Sequence, residues 1–238
     1  MRTSLSSCKL ICTAGLKGSG KDSVSKMLEY LLNVPKPFRT YFWYNILKKW
    51  PGKWSTIAFA KPLKQTLSII LNRPLEWFDD RSNKESVYVD LRNLELIDGY
   101  LLDEYDVLSE NKFSKLIKTG EPLSGYLSIR QLMQYYGTNV IRRFLGDKTW
   151  INATLNQCEN KNTIVSDLRF KVEYNEVKQR NGIVIYIERP GCTPGSHSSE
   201  REVLEMKEMG LFDYTIQNNG SLKDLFYKIK EIIYERRS

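Results

Sequence analysis

Histidine is almost absent from this chain: His197 is the only one in 238 residues. That nearly excludes a zinc site built on histidines and disfavours a Ser-His-Asp triad. Cysteine is scarce too, with Cys8, Cys12, Cys158 and Cys192. Cys8 and Cys12 flank an apolar run of strand character, which puts both on one face. Buried free thiols and a reducing cytoplasm are the expectation, rather than the disulfides of a secreted chain. Long apolar runs are missing as well. No stretch approaches the roughly 18 residues needed to cross a membrane. The segment MRTSLSSCKLICTAG has one arginine and leads straight into a glycine-rich turn, so it reads as mature structure rather than a signal peptide. Composition is otherwise ordinary, 41% apolar and 27% charged, which excludes wholesale disorder. The length suits one domain carrying insertions.

Acid is what the first quarter lacks. The chain has 36 basic and 28 acidic residues, a net +8. Residues 1–54 hold ten bases and two acids, so the whole surplus lies there and the remainder is neutral. Within that remainder, 74–126 is acidic, with twelve acids against six bases. A basic excess points to anionic partners: nucleic acid, an anionic membrane or small phosphorylated molecules. Residues 35–54 (PKPFRTYFWYNILKKWPGKW) carry seven aromatics, five bases and no acid, and read as an insertion. Aromatics beside cations could stack nucleic-acid bases. The preferred reading is a hydrophobic flap packed on the body, its lysines reaching out to water.

The pattern elsewhere alternates. CKLICTA at 8–14 reads as a strand, and Val24, Met27, Leu28, Leu31 and Leu32 predict a helix over 21–32. STIAFA at 55–60 is a second strand, and Pro62 opens a helix over 62–72. Residues 74–126 read as an irregular, lid-like insertion. Ser128 caps one helix predicted to run to about 145, and another covers 148–158. A strand at 163–166 ends at Asp167. A helix over 170–181, a buried strand at 183–188, a helix over 201–209, a strand at 214–217 and a helix over 221–235 complete the chain. Strands alternating with helices predict an α/β fold with a parallel sheet covered on both faces.

The chemistry centres on Gly15-Leu-Lys-Gly-Ser-Gly-Lys21-Asp22-Ser23, between a predicted strand and a predicted helix. That context is what a phosphate-binding P-loop requires. The glycines let backbone N–H groups turn inward, and the helix N-terminus adds positive charge. Lys21 would reach the β- and γ-phosphates of ATP. The residue after the lysine, where a magnesium-binding hydroxyl is usual, is Asp22. Ser23 is therefore the hydroxyl candidate, with Asp22 holding magnesium through water. No N-K-x-D element follows a strand, which disfavours a GTPase, and Asp167 is followed by Leu168 rather than Glu, unlike an AAA-type motor. Arg169 closes an Asp-x-Arg strand end suited to gripping a second anion. Arg130, Arg142, Arg143, Arg189 and Arg201 are further candidates near element ends.

These residues resemble the deoxynucleoside monophosphate kinases of tailed bacteriophages, a P-loop kinase family. GSGKDS, FAKPLK at 59–64, SIRQLMQYYGT at 128–138, Trp150, SDLRF at 166–170, IERPG at 187–191, HSSE at 197–200 and NNGSL at 218–222 match its pattern in order. The resemblance covers roughly 8–34, 55–73 and 128–235, and leaves out 35–54 and much of 74–126. It implies a five-stranded parallel sheet flanked by helices, a single kinase domain with two insertions, and possible homodimerisation. It also implies transfer of the γ-phosphoryl group of magnesium ATP to a deoxynucleoside 5′-monophosphate for viral DNA precursors. Gly15, Lys17, Gly18, Ser19, Gly20 and Lys21 would hold the donor phosphates, and Asn218 and Gly220 its adenine. Arg130 and Arg169 would bind the acceptor phosphate, Asp167 would orient the acceptor or the magnesium water, and Arg142 is a further catalytic candidate. Gln134 and Trp150 are base-pocket candidates, with plain helix packing weighed equally for Trp150, and Lys64 would reach phosphate. His197 and Glu200 read as structural, with Ser198 or Ser199 as a helix cap. Two rival readings are a kinase of another small phosphoacceptor, akin to dephospho-coenzyme A kinases, and an ATP-binding protein that works on nucleic acid.

Overall fold

A computed structural model of the protein describes residues 9–90, 92–102, 125–193 and 198–234. The chain falls into two compact units, one made of the chain up to Phe59 and from Ile151 onward, the other of Ala60–Trp150.

In the first unit, strands β1 (Leu10–Ala14), β2 (Trp54–Ile57), β6 (Asn162–Leu168), β7 (Ile183–Glu188) and β8 (Tyr214–Gln217) form one parallel sheet. Their order is β2-β6-β1-β7-β8. β1 lies at the centre and is buried along its whole length, which is why its sequence is a near-continuous apolar run rather than an alternating one. Residues of opposite parity feed two cores. Ile11, Ile164, Ile185 and Ile187 face α1 (Lys21–Asn33) and the C-terminal helix Leu222–Tyr234 through Val24, Leu28, Phe226 and Ile229. Cys12, Val165, Val184 and Tyr186 face the helices Thr149–Gln157, Lys171–Gln179 and Ser198–Glu208 through Leu155, Val177 and Met206. The α/β class and the five-stranded parallel sheet are as predicted.

The aromatic segment joins the first of these cores. α2 (Tyr41–Leu47) buries Tyr44, and Phe38, Tyr41, Trp43 and Trp50 pack partly buried against the same cluster. Phe226 meets Tyr30, Tyr41 and Tyr44 at ring-centroid distances of 6.3, 5.8 and 5.4 Å. Phe42 is left outside, 66% exposed. The packed-flap reading accounts for this arrangement, because most of the rings that could stack on bases are engaged in the core.

The second unit corrects one expectation. The stretch 74–126 is not simply irregular: β3 (Val87–Asp90), β4 (Leu96–Asp98) and β5 (Tyr126–Ser128) form an antiparallel sheet in the order β4-β3-β5. A local turn drives it, with Asp90 N donating to Glu95 O at 2.9 Å and Leu94 N to Asp90 O at 2.7 Å. Val89 and Leu127 then bury against Leu67 and Leu71 of α3 (Lys61–Ile70) and its C-cap, Phe78, and Leu132. α4 (Arg81–Ser86) precedes this sheet and is capped by Asp80. Residues 103–124 of the predicted insertion lie outside the described residues.

The helix predicted from Ser128 to about 145 is interrupted. Ser128 does cap α5 (Ile129–Tyr135), in a reciprocal box with Gln131. The chain then widens into a π-helix, Tyr136–Arg142, before a last α-turn, Arg143–Leu145. Trp150 Nε1 donates to Gly137 O at 2.9 Å, and a Cβ on Gly137 would come 3.2 Å from Leu63. A carbonyl drawn to a side-chain donor is a recognised way to break the α-helical ladder. The helix predicted over 201–209 begins earlier, at Ser198.

Candidate active site

The glycine loop sits between the end of β1 and the start of α1. Gly20 takes the N-cap position in the left-handed region (φ 95, ψ 14) and supplies no side-chain cap. The first-turn N–H groups of α1 are therefore left for an anion, at the positive end of the helix dipole. Close approach requires glycine here: a Cβ on Gly20 would stand 2.6 Å from Asn218 Nδ2. At Gly15 it would stand 2.5 Å from Ser19 Oγ and 2.7 Å from Ile187 O.

Three side chains from distant parts of the chain hold the loop. Glu200 Oε1 accepts from Lys17 N at 3.1 Å, Arg189 Nη1 donates to Gly18 O at 3.3 Å, and Asn218 Nδ2 donates to Ser19 O at 2.8 Å. The loop conformation is thus set by groups at the ends of β7 and β8 and at the start of helix α8 (Ser198–Glu208), where α6 is Thr149–Gln157 and α7 is Lys171–Gln179.

Lys21 is only 7% exposed and makes no ion pair among the described residues. Burial, and then the Arg169 guanidinium, push its amine below the usual lysine value, against the pull of Asp22, Asp167 and Glu200. Two cations held near each other at the mouth of a phosphate-type loop are poorly compensated by the protein itself. A polyanion relieves that repulsion.

Arg169 owes its direction to an irregularity in β6. Cys12 pairs with Val165, but Ala14 pairs with Leu168, so β6 holds one extra residue over that interval. In a regular strand Val165 and Leu168 would face opposite sides; here both lie in the core below the sheet on the α6–α8 side. The bulge reverses the parity and sends the next residue, Arg169, toward the α1 side. Asp167 lies within the bulge, its Oδ1 accepting from Phe59 N at 2.8 Å.

The second unit carries a separate cationic cluster. Lys64 pairs with Asp79, and Lys84 Nζ donates to Asp79 O at 3.3 Å. Arg130 Nη2 bonds Glu85 Oε1 at 3.1 Å, sharing it with Arg81 Nε at 3.2 Å. Burial and then Lys64 hold the Lys84 amine below its usual value; Asp79 opposes this and Arg130 adds to it.

The profile of the family described as "Deoxynucleotide monophosphate kinase" matches residues 64–229. The chain belongs to this family. A deoxynucleotide monophosphate kinase of Escherichia phage RB69 is 25% identical over 256 residues, covering 94% of this chain and 99% of that protein. The enzyme of the same name from Enterobacteria phage T4 is 24% identical, covering 94% and 98%. A putative deoxynucleotide monophosphate kinase of Acanthamoeba polyphaga mimivirus is 25% identical over 115 residues, which span 42% of this chain and 58% of that protein. Among solved structures, shikimate kinase from Acinetobacter baumannii in complex with shikimate aligns with a TM-score of 0.39 and 14% identity, covering 98% of this chain and 96% of that one. The protein is thus a phosphotransferase that uses nucleotides, a deoxynucleotide monophosphate kinase. No helix among the described residues is long and apolar enough to cross a membrane.

Within this kinase the sequence-derived residues fall into two groups. Gly15 to Ser23, Asp167, Arg169 and Asn218 gather around the loop of the first unit. Asn218 gives its side chain to the loop carbonyl, and Gly220 precedes Ser221, whose Oγ accepts from Asp224 N at 3.2 Å and caps the last helix, α9 (Leu222–Tyr234), while Asp224 accepts from Ser221 N at 2.8 Å. Lys64, Arg130, Gln134, Arg142 and Trp150 belong to the second unit. Arg130 and Gln134 are exposed on α5, Arg142 is partly buried in the π-helix, and Trp150 is buried with its indole N–H given to Gly137. His197 and the side chains of Ser198 and Ser199 lie outside the described residues. Sequence reasoning treated Glu200 as structural and did not single out Lys84. The first reveals itself only when helix α8 is brought to the loop, 183 residues from Lys17. The second was hidden among the acids of 74–126.

Proposed function

We propose that the kinase transfers the γ-phosphoryl group of ATP to a deoxynucleoside 5′-monophosphate, with the loop Gly15–Ser23 as the donor-phosphate site. The observation that carries this reading is Lys21: a buried ammonium with no ion pair among the described residues, beside the Arg169 guanidinium, at an uncapped helix N-terminus. The backbone N–H groups of Gly20 to Ser23 would hold the donor phosphates, and Lys21 and Arg169 would meet the negative charge on the transferring group. Phosphoryl transfer depends mostly on such positioning and charge neutralisation, so the near absence of histidine is no obstacle.

Asp22 and Ser23, adjacent on the first turn of α1, offer one carboxylate and one hydroxyl oxygen. Magnesium takes few protein oxygens and completes its shell with phosphates and water, so this donor set fits it. When bound, the ion neutralises charge between the donor phosphates. Asp167, held by Phe59 N, is the candidate for orienting the acceptor or a magnesium-bound water. Lys64, Lys84 and Arg130 are the proposed grip on the acceptor monophosphate, with Gln134 and Arg142 following Arg130 in the chain. Lys84 joins that group because its position among like charges suits an arriving phosphate.

A coupled assay with magnesium ATP across all deoxynucleoside and nucleoside monophosphates tests the reaction. Turnover of at least one deoxynucleoside monophosphate is expected. Phosphorylation of dephospho-coenzyme A alone, or salt-sensitive DNA binding without turnover, would replace the reading. Arg169→Ala is expected to lower kcat/KM for the monophosphate about a hundredfold, or about 2.7 kcal/mol. The dissociation constant for ATP should change only a few-fold. Unchanged acceptor kinetics would remove Arg169 from the site.

A further inference from the structure

We propose that Thr13 is a positioning residue for phosphoryl transfer: with Ser25 it ties the first turn of α1 to the bulge of β6, so that Lys21 and Arg169 are set by one buried hydroxyl relay. The proposal rests on the reading of Gly15–Ser23 as the donor-phosphate site and of Arg169 as the second cation beside it.

Thr13 and Ser25 are both fully buried. Thr13 lies in β1 between Cys12 and Ala14, the interval in which the register with β6 slips. A bulge leaves an extra residue outside the ladder, and the Thr13 hydroxyl reaches into this one. Its Oγ1 stands 3.1 Å from Ser166 O. The same Oγ1 stands 2.9 Å from Ser25 Oγ, which in turn stands 3.0 Å from Lys21 O. One end of the relay is thus the peptide carbonyl of the loop lysine itself. The other is a carbonyl inside the bulge that turns Arg169 toward α1.

The relay is short of protons. Its two hydroxyls bring one proton each, and there are three contacts to fill. If Thr13 donates to Ser25, Ser25 donates to Lys21 O, and Ser166 O receives no hydroxyl proton. If Ser25 donates to Thr13, Thr13 donates to Ser166 O, and Lys21 O receives none. If both donate outward, two oxygens face each other with lone pairs only. Burial keeps bulk water from making up the difference. The helix start and the strand end therefore compete for the same two protons, and a shift at either end is felt at the other.

The consequence belongs to the transition state. Negative charge on the transferring group would be met by Lys21 and Arg169 together, so their spacing matters most there. A misplacement of about 1 Å in such a pair can cost about a hundredfold in rate. Ground-state binding of ATP draws on several backbone N–H groups and depends far less on that spacing.

The experiment compares Thr13→Val, which keeps the branched shape and removes the hydroxyl, with Thr13→Ser, which keeps the hydroxyl. Both are made in the full-length protein, alone and combined with Arg169→Ala, and native folding is checked by circular dichroism. Thr13→Val is expected to lower kcat about thirtyfold, with KM for both substrates and the ATP dissociation constant within a few-fold of the wild type. Thr13→Ser should recover kcat to within about threefold. The loss caused by Arg169→Ala, about a hundredfold in the wild type, should shrink to about tenfold or less in the Thr13→Val background. Should Thr13→Val not fold, Ser25→Ala carries the test, with an expected loss in kcat of about tenfold and the same sub-additive cycle. An unchanged kcat, a Thr13→Ser protein as impaired as Thr13→Val, or losses that multiply independently with that of Arg169→Ala would each overturn the proposal. A Lys21→Ala protein run in parallel separates the two ideas. If it turns over like the wild type, the donor-site reading fails, and the role of Thr13 with it. If Lys21→Ala and Arg169→Ala lose activity while the Thr13 and Ser25 variants keep theirs, only the positioning proposal fails.

Discussion

Lys21→Ala is expected to lower kcat/KM at least about a thousandfold, or about 4 kcal/mol of transition-state stabilisation, while the unliganded protein stays at least as stable as the wild type. The two halves of this result have one cause. A buried ammonium beside a guanidinium would serve the proposed donor phosphates, and it burdens the fold. Burial and Arg169 lower the amine's pKa in the folded state from its ordinary 10.5. Below the lowered value both states carry the proton and the folded state bears the full penalty. Between that value and 10.5 the unfolded chain binds more protons, so wild-type stability rises with pH across this window. The alanine variant lacks that rise. Denaturation curves from neutral to alkaline pH, compared between the two proteins, isolate it. The thermal shift given by ATP should also disappear in the variant. Activity within a few-fold of the wild type would reject Lys21 as the donor-phosphate lysine.

Phe226→Ala is expected to destabilise the protein by about 3–5 kcal/mol in urea denaturation. Phe226 is fully buried, and its ring joins α9 to Tyr30 of α1 and to Tyr41 and Tyr44 of the aromatic segment. Truncation removes the ring's apolar area and leaves a cavity whose walls are bulky aromatics anchored on two other helices, so collapse can recover little. The same change should raise the protease sensitivity of residues 35–54 before that of the sheet, because α2 loses its main seat. A loss below 1 kcal/mol would show that the segment does not depend on this core.

Legibility in the sequence followed how locally each feature is determined. IVIYIE at 183–188 was readable to the residue because a strand buried in a parallel sheet is a short apolar run bounded by turn residues, and YTIQ at 214–217, an edge strand with only Ile216 buried, because Asn218-Asn219-Gly220 ends it. The strand–glycine loop–helix unit was readable because strand, glycines, lysine and helix are contiguous. β3 to β5 were not, since strands of three or four half-buried residues carry too few positions to show a period. The π-helix was invisible because Ile129 to Leu145 has sound helical spacing throughout. What widens it is an indole N–H arriving from Trp150. In the site, the residues missed or undervalued were those whose partners are remote. Glu200 and Arg189 act on Lys17 and Gly18, and only the closed sheet brings them there. The surplus of positive charge likewise divided in a way composition could not reveal: part of it in the phosphate loop, the larger part on the outer side of an aromatic flap.

The extra residue in β6 has a consequence for how this enzyme can diverge. The arginine after the strand reaches the α1 side only because an odd residue is counted in between Val165 and Leu168. Substitutions there alter chemistry by degrees. Loss or gain of a single codon would exchange the sides of everything that follows in the strand, sending the guanidinium beneath the sheet and bringing Leu168 out to the side where the phosphates are proposed to bind. Lineages descended from such a chain are free to vary the letters of this stretch but are held to its length.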